Sequence, residues 1–156
     1  MIRRATTDDL QAVGRLGALL LRAHYGFDRR RFMRPGPGVE DGYASFLATQ
    51  LNSEDALVLV AERDRQIVGY LYAGIEPRNW KELRERAGFV HDVLVIEDAR
   101  GLGIARQLMN AALAWMREQG VPRVLLWTAA PNEQARRLFE RLGFRSTMVE
   151  MTRELE

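Results

Sequence analysis

The stretch from Val93 to Arg106 constrains this chain more than any other. Val93, Leu94 and Val95 suit a buried strand. A polar turn follows, and Arg100-Gly101-Leu102-Gly103-Ile104-Ala105 then sets two glycines directly ahead of an apolar-periodic run. The order predicted is strand, glycine turn, helix. Glycine has no Cβ, so successive backbone N–H groups can converge on an anion, and the following helix adds the positive end of its dipole. A phosphate-binding turn is therefore the first expectation. Two familiar nucleotide motifs do not fit: the lysine and hydroxyl of a Walker A loop are absent, and a dinucleotide fingerprint needs glycine where Arg106 stands.

The frame around this turn is small and cysteine-free. At 156 residues, 47% of them hydrophobic, the chain is the size of one domain with a real core, and residues 1–156 are read as a single domain. Lys and Arg total 23 against 21 Asp and Glu, a net charge of only +2, so no nucleic-acid footprint is implied. The absence of cysteine excludes disulfides, thiolate metal sites and a cysteine nucleophile. A metal would have only His24, His91 and carboxylates to hold it, and none is expected. The start lacks a signal-like apolar segment, and no run approaches the length of a membrane span, so a soluble cytoplasmic protein without a membrane partner is expected.

Ile2 to Ala5 reads as a first strand, and Thr6 with Asp9 makes a capping-box pattern that opens a helix carrying Leu10, Val13, Leu16 and Leu20 on one face. From Tyr25 to Gly38 the pattern breaks into an arginine-rich connection, read as a solvated loop or as a contact for an acidic group. Tyr43, Phe46, Leu47 and Leu51 restore helical spacing. Leu57–Ala61 and Ile67–Ile75 predict a β-hairpin. A charged stretch from Pro77 to Gly88, read as a helical turn, leads to a strand at Phe89–Ile96. The helix after the glycine turn shows Ile104, Leu108, Ala111, Ala112 and Trp115 on one face and stops at Gly120 and Pro122. A strand at Val124–Thr128, a helix opened by Pro131 and Asn132, and a last strand from about Phe144 to Leu155 complete the order. This predicts a mixed α/β sandwich around one sheet, not a doubly wound fold.

Two spaced motifs carry a family resemblance. Arg100, Gly103 and Ala105 match an acyl-CoA signature, and Leu125-Leu126-Trp127 through Asn132, Ala135, Leu138, Phe139 and Gly143-Phe144 match a closing strand, an Asn-initiated helix and Gly-Phe. The chain resembles the GNAT N-acetyltransferase superfamily, with one departure: Phe139 stands where many members have tyrosine. The resemblance implies a mostly antiparallel mixed sheet flanked by helices on both faces, acetyl-CoA as cosubstrate, and transfer of its acetyl group to a small-molecule or protein amine. It further implies that pantetheine runs along backbone groups of Val93, Leu94 and Val95. The pyrophosphate would sit on the turn from Arg100 through Gly101, Leu102, Gly103, Ile104 and Ala105 to Arg106, and Asn132 would contact the pantetheine arm or act simply as a helix cap. A homodimer is a further implication. A non-catalytic acyl-CoA-binding module of the same fold is the alternative that Phe139 motivates.

Acetylation needs a neutral amine, and an alkyl ammonium of pKa near 10.4 resists deprotonation at neutral pH by roughly 4 kcal/mol. His91 and Asp92 precede the pantetheine segment, and strand alternation points them to opposite faces, so only one is expected to face the acceptor. The spermidine/spermine acetyltransferases carry Glu-Asp on a similar-looking strand, which places His91 at the base position; Asp92 or a water relay is the alternative. Neutral imidazole suits the role. Glu76 is a weaker candidate for the same cleft, and Tyr25, Phe27 and Asp28 lie in the connection that lines the acceptor site in relatives. Phe139 cannot donate a proton; Tyr25, Tyr43, Tyr70 and Tyr72 are the hydroxyls available to replace it.

Overall fold

A computed structural model describes residues 1–155. Its centre is the hairpin of β2 (Ala56–Arg63) and β3 (Gln66–Glu76), two β-branched and aromatic runs separated by only Asp64 and Arg65. Both turn residues have positive φ, 50° and 63°, as required by a two-residue turn that follows strand twist. Strand β1 (Ile2–Arg4) pairs with β2, β4 (Ala87–Val95) with β3, and β5 (Val124–Leu126) with β4, giving the order β1-β2-β3-β4-β5. All neighbours are antiparallel except β4 and β5, which are parallel.

Alternation along β2 and β3 builds two cores. Leu57, Leu59, Leu71, Ala73 and Ile75 face α3 (Ile104–Glu118), where Leu108, Met109, Ala112 and Met116 are buried, and Phe139 of α4 (Glu133–Arg141). Val58, Val60 and Tyr70 face Val13 and Leu16 of α1 (Leu10–Phe27) and Leu47 of α2 (Val39–Leu51). Each fully buried Val, Leu, Ile, Met or Phe among them contributes about 1.5–3 kcal/mol. Helices α1 and α2 approach through glycine. A Cβ on Gly14 would meet the Glu40 carbonyl at 2.6 Å, and one on Gly17 would fall inside the Tyr43 ring.

The capping box at Thr6 and Asp9 forms, opening a short 3₁₀ turn (Thr7–Asp9) that runs into α1. Asp9 is buried and accepts from Arg3 Nη1 at 2.7 Å, Arg3 Nη2 at 2.9 Å and the Thr6 N–H at 2.8 Å. The Arg3 guanidinium holds its carboxyl down to about 2. A depressed carboxyl contributes stability above its unfolded value, near 3.8, and loses it as pH falls toward 2. Asp9→Ala is expected to lower the unfolding free energy by about 3 kcal/mol at neutral pH and to flatten the loss of stability between about pH 4 and 2, read by urea titration at each pH.

Three expectations are corrected. Helix α1 runs on to Phe27, so Tyr25 and Phe27 lie in its last turn and Asp28 is its C-cap; the apolar stripe weakens there, but the backbone hydrogen bonds continue. Residues 77–86 form no helix, and Asn79 and Arg84 instead bridge across a turn. The last strand does not form: residues 145–155 are exposed and, among the described residues, have no strand partner, because β5, at the end of the sheet, does not take them as a neighbour.

Candidate active site

The site is organised by an irregularity in β4. Tyr72 of β3 pairs with Asp92, but the next residue, Ala73, pairs with Val90, so His91 is one residue too many. A β-bulge breaks the in-out alternation. His91 and Asp92 therefore both turn toward the α1–α2 face, which overturns the expectation of opposite faces. The His91 ring stacks between Tyr72 and Phe89, with both centroids 4.8 Å away, while Asp92 accepts a hydrogen bond from the Tyr43 hydroxyl of α2.

His91 Nε2 lies 3.0 Å from Glu76 Oε1 at the end of β3. The carboxylate can only accept, so neutral His91 donates through Nε2 and keeps its free lone pair on Nδ1. Burial lowers the imidazole pKa below its usual value, and Glu76 opposes that shift without reversing it. His91 is thus mostly neutral at pH 7. Asp92 is displaced the other way, raised to about 7 by burial. Tyr70 donates to the Tyr43 hydroxyl at 3.1 Å, which frees the Tyr43 proton for Asp92.

On the other side of β4 the sheet opens. β5 pairs with β4 only from Gly88↔Val124 to Val90↔Leu126, so residues 91–95 have no strand partner on that edge. The Ile96 N–H bonds Val68 O, and alternation along the antiparallel ladder then turns Leu94 toward β3 and the N–H and C=O groups of Val93 and Val95 toward the opening. Arg100 Nε takes the Val95 carbonyl at 3.2 Å. Gly101 and Gly103 have φ of 77° and 75°, and a Cβ on either would meet nothing within 4 Å. The first bond of α3 runs from the Gln107 N–H to Gly103 O, which leaves the preceding N–H groups without helical partners. Ile104 and Ala105 turn their side chains into the core, so only their backbones face the turn.

A family profile described as the acetyltransferase (GNAT) family matches residues 23–144. The chain belongs to the GNAT acetyltransferase family. It is 35% identical over 96 residues to a mycothiol acetyltransferase of Cellulomonas flavigena, a stretch that covers 60% of this chain and 28% of that one. It is 30% identical over 142 residues, 88% of each chain, to an uncharacterized N-acetyltransferase of Archaeoglobus fulgidus. The chain thus spans well under two thirds of the mycothiol relative's length. Its fold is shared by an aminoglycoside N-acetyltransferase solved in complex with CoA, at 19% identity and a TM-score of 0.79, over 99% of this chain and 93% of that one.

Within this GNAT domain the residues singled out in the sequence separate clearly. His91, Asp92 and Glu76 converge on one face of β3 and β4. Asn132 Oδ1 accepts from the Ala135 N–H at 3.2 Å, the helix-cap role, so only its amide NH₂ is left for a ligand. Phe139 is buried against Phe144. Tyr25, Phe27 and Asp28 find local partners: Arg29 lies over the Tyr25 ring, Phe27 packs on His24, and Asp28 accepts from the backbones of Arg30 and Arg31. Sequence reasoning overlooked the aromatic row that continues from Tyr72 and His91 to Phe46 on one side and through Phe89 to Trp127 on the other. Phe46 is 45% exposed and Trp127 69%. Helical and strand spacing alone assign such residues to a core; the exposure of Trp127 follows from its place just beyond the three residues of β5 that pair with β4.

Proposed function

We propose that this GNAT domain transfers the acetyl group of acetyl-CoA to a primary amine, of a small molecule or of a protein, by direct attack in a ternary complex. The carrying observation is the His91–Glu76 pair, set on β4 where the strands begin to part. When bound, acetyl-CoA supplies the acetyl thioester. The open backbone groups of Val93 and Val95 suit its pantetheine arm, and the unpartnered N–H groups after Gly101 and Gly103 suit its pyrophosphate. His91 Nδ1 accepts the proton that the acceptor ammonium must lose, and Glu76 stabilises the imidazolium that results. Glu76 thus serves as a positioning residue for His91. Asp92, its carboxyl raised to about 7 by burial, adds negative charge to the same face when it ionises. Carboxylates beside Tyr72, Phe89, Phe46 and Trp127 favour an amine carried on an apolar group, because ring faces and carboxylates both attract an ammonium.

Initial-rate kinetics are expected to give the intersecting pattern of a ternary complex; a ping-pong pattern with an isolable acetyl-enzyme would sink the mechanism. CoA binding without thiol release across a broad amine panel would favour the non-catalytic module. Dependence on acetyl-CoA points to the cytoplasm, and among the described residues no helix is long and apolar enough to cross a membrane. Gly103→Leu is expected to fold, because the space around it is open, at a conformational cost of about 1 kcal/mol for the positive φ. It should weaken acetyl-CoA binding by about tenfold or more in calorimetry. Unchanged affinity would make the turn purely structural.

A further inference from the structure

The residue that the bulge adds to β4 is held by more than its carboxylate partner. His91 falls between two rows of the sheet, the pair Tyr72↔Asp92 and the pair Gly74↔Phe89. The aromatic side chains of those rows flank its imidazole. Both ring centroids are 4.8 Å from it, and the planes are near parallel, at 24° for Tyr72 and 17° for Phe89. Each flanking ring is braced in turn. The Tyr72 hydroxyl donates to Gln50 Oε1 of α2 at 3.1 Å, and the Phe46 ring of the same helix packs nearly perpendicular to Tyr72, 5.6 Å between centroids. Trp127, just past β5, packs nearly perpendicular to Phe89 at 5.3 Å. Three elements besides β4 thus converge on the orientation of one ring.

Two aromatic faces act on an imidazole in two ways. A ring held between near-parallel faces cannot turn about its Cβ–Cγ bond, so Nε2 stays on Glu76 and Nδ1 stays free. The negative face of an aromatic ring also attracts a cation, which favours imidazolium over imidazole. We infer that Tyr72 and Phe89 are positioning residues for His91: together they fix its ring on Glu76 and stabilise the imidazolium formed when Nδ1 takes the acceptor's proton. The part played in acetyl transfer rests on the reading of His91 as the base; the clamp on the ring does not. Among the described residues, Glu76 of β3 is the charged group that acts on His91. The Tyr72 hydroxyl is committed to Gln50, and Asp92, next along β4, is turned to Tyr43 of α2. Burial disfavours the imidazolium, and the ring faces, with Glu76, offset part of that effect.

The chain has only 2 histidines, so NMR titration of the ligand-free protein reads His91 directly once His91→Gln has assigned its signals. Leucine at either flanking position keeps an apolar side chain and removes the ring face. Phe89→Leu and Tyr72→Leu are each expected to lower the proton affinity of His91 by about threefold. The neutral ring, protonated on Nε2 in the wild type, should become a mixture of tautomers by its nitrogen shifts. Tyr72→Phe, which keeps the ring, should restore both properties. Were the rings mere packing, their loss would admit water and raise the proton affinity, because the burial that lowers it would be relieved. Such a rise, or no change, would overturn the inference. Should Phe89→Leu fail to fold, Tyr72→Leu, at a half-buried site, carries the same test. With an amine that the enzyme acetylates, kcat should fall by about tenfold in each leucine variant, with acetyl-CoA affinity kept and Tyr72→Phe restoring the rate. Full activity in His91→Gln would overturn the base reading and the clamp's part in transfer together, whereas the titrations decide the clamp itself.

Discussion

Replacing His91 with Gln is expected to lower kcat by about a hundredfold or more near neutral pH while leaving acetyl-CoA affinity unchanged. Gln keeps a polar side chain of similar reach on the bulge but cannot hold a proton. The side chain faces the α1–α2 side of the sheet, whereas the proposed cofactor contacts are backbone groups on the β5 edge of β4, so binding and chemistry separate at this residue. Glu76→Gln should cost less, because it removes only the stabilisation of the imidazolium. The pH profile tests the assignment further. A base must be unprotonated to act, so the rate falls as pH drops through its pKa. Burial holds His91 below its usual value and lifts Asp92 to about 7, so the two limbs are separated in a defined order. His91→Gln should erase the lower ionisation from kcat/KM, and Asp92→Asn the one near 7. Retention of the lower limb in a slow His91→Gln enzyme would pass the role of base to another group. The assay requires a true acceptor, since a poor surrogate makes a different step limiting.

The second large effect is expected far from the chemistry. Gly17→Ala should destabilise the domain by about 3 kcal/mol, measured by denaturant titration, because a methyl group there occupies the space of the Tyr43 ring. Tyr43 or the whole of α2 must shift. Either movement withdraws the hydroxyl from Asp92 and leaves that carboxylate poorly partnered. The folded fraction should therefore also lose activity and show a displaced ionisation near pH 7. A tyrosine removed without overpacking, Tyr43→Phe, should reproduce the shift in the pH profile with a smaller loss of stability. Wild-type stability in Gly17→Ala would mean that α1 and α2 separate without cost and that their contact does not position the site.

Much of this was legible in local residue order because the signals are local. Hydrophobic period and the Thr6–Asp9 capping box act over fewer than about ten residues, and the β2–β3 hairpin, the start of α1, α2, α3 and α4 formed where such patterns predict. The glycine turn is equally local: positive φ at Gly101 and Gly103 and the start of α3 at Ile104 follow from the turn sequence itself. At Tyr25 and Phe27 the amphipathic pattern fades before the helix ends, and backbone hydrogen bonds carry α1 further.

Which side chains meet was settled by pairing between distant strands. His91 and Asp92 are neighbours in any reading, but their common orientation depends on a register shift against Tyr72 and Ala73, about twenty residues away. That register is fixed by packing on both faces of the sheet, and a single extra residue reverses the direction of every side chain beyond it. Glu76 reached His91 through the same register, and Trp127 became exposed because β5 parts from β4 after three paired residues. The composition of residues 144–155 marked a strand, yet a strand forms only where another edge receives it, and the edge is a property of the folded sheet. Most element types, the glycine turn and the family were thus determined by residue order alone; the cluster of His91, Glu76 and Asp92, the aromatic row and the unpaired residues 145–155 were decided by tertiary structure, because strand pairing joins residues whose separation in sequence carries no local signal.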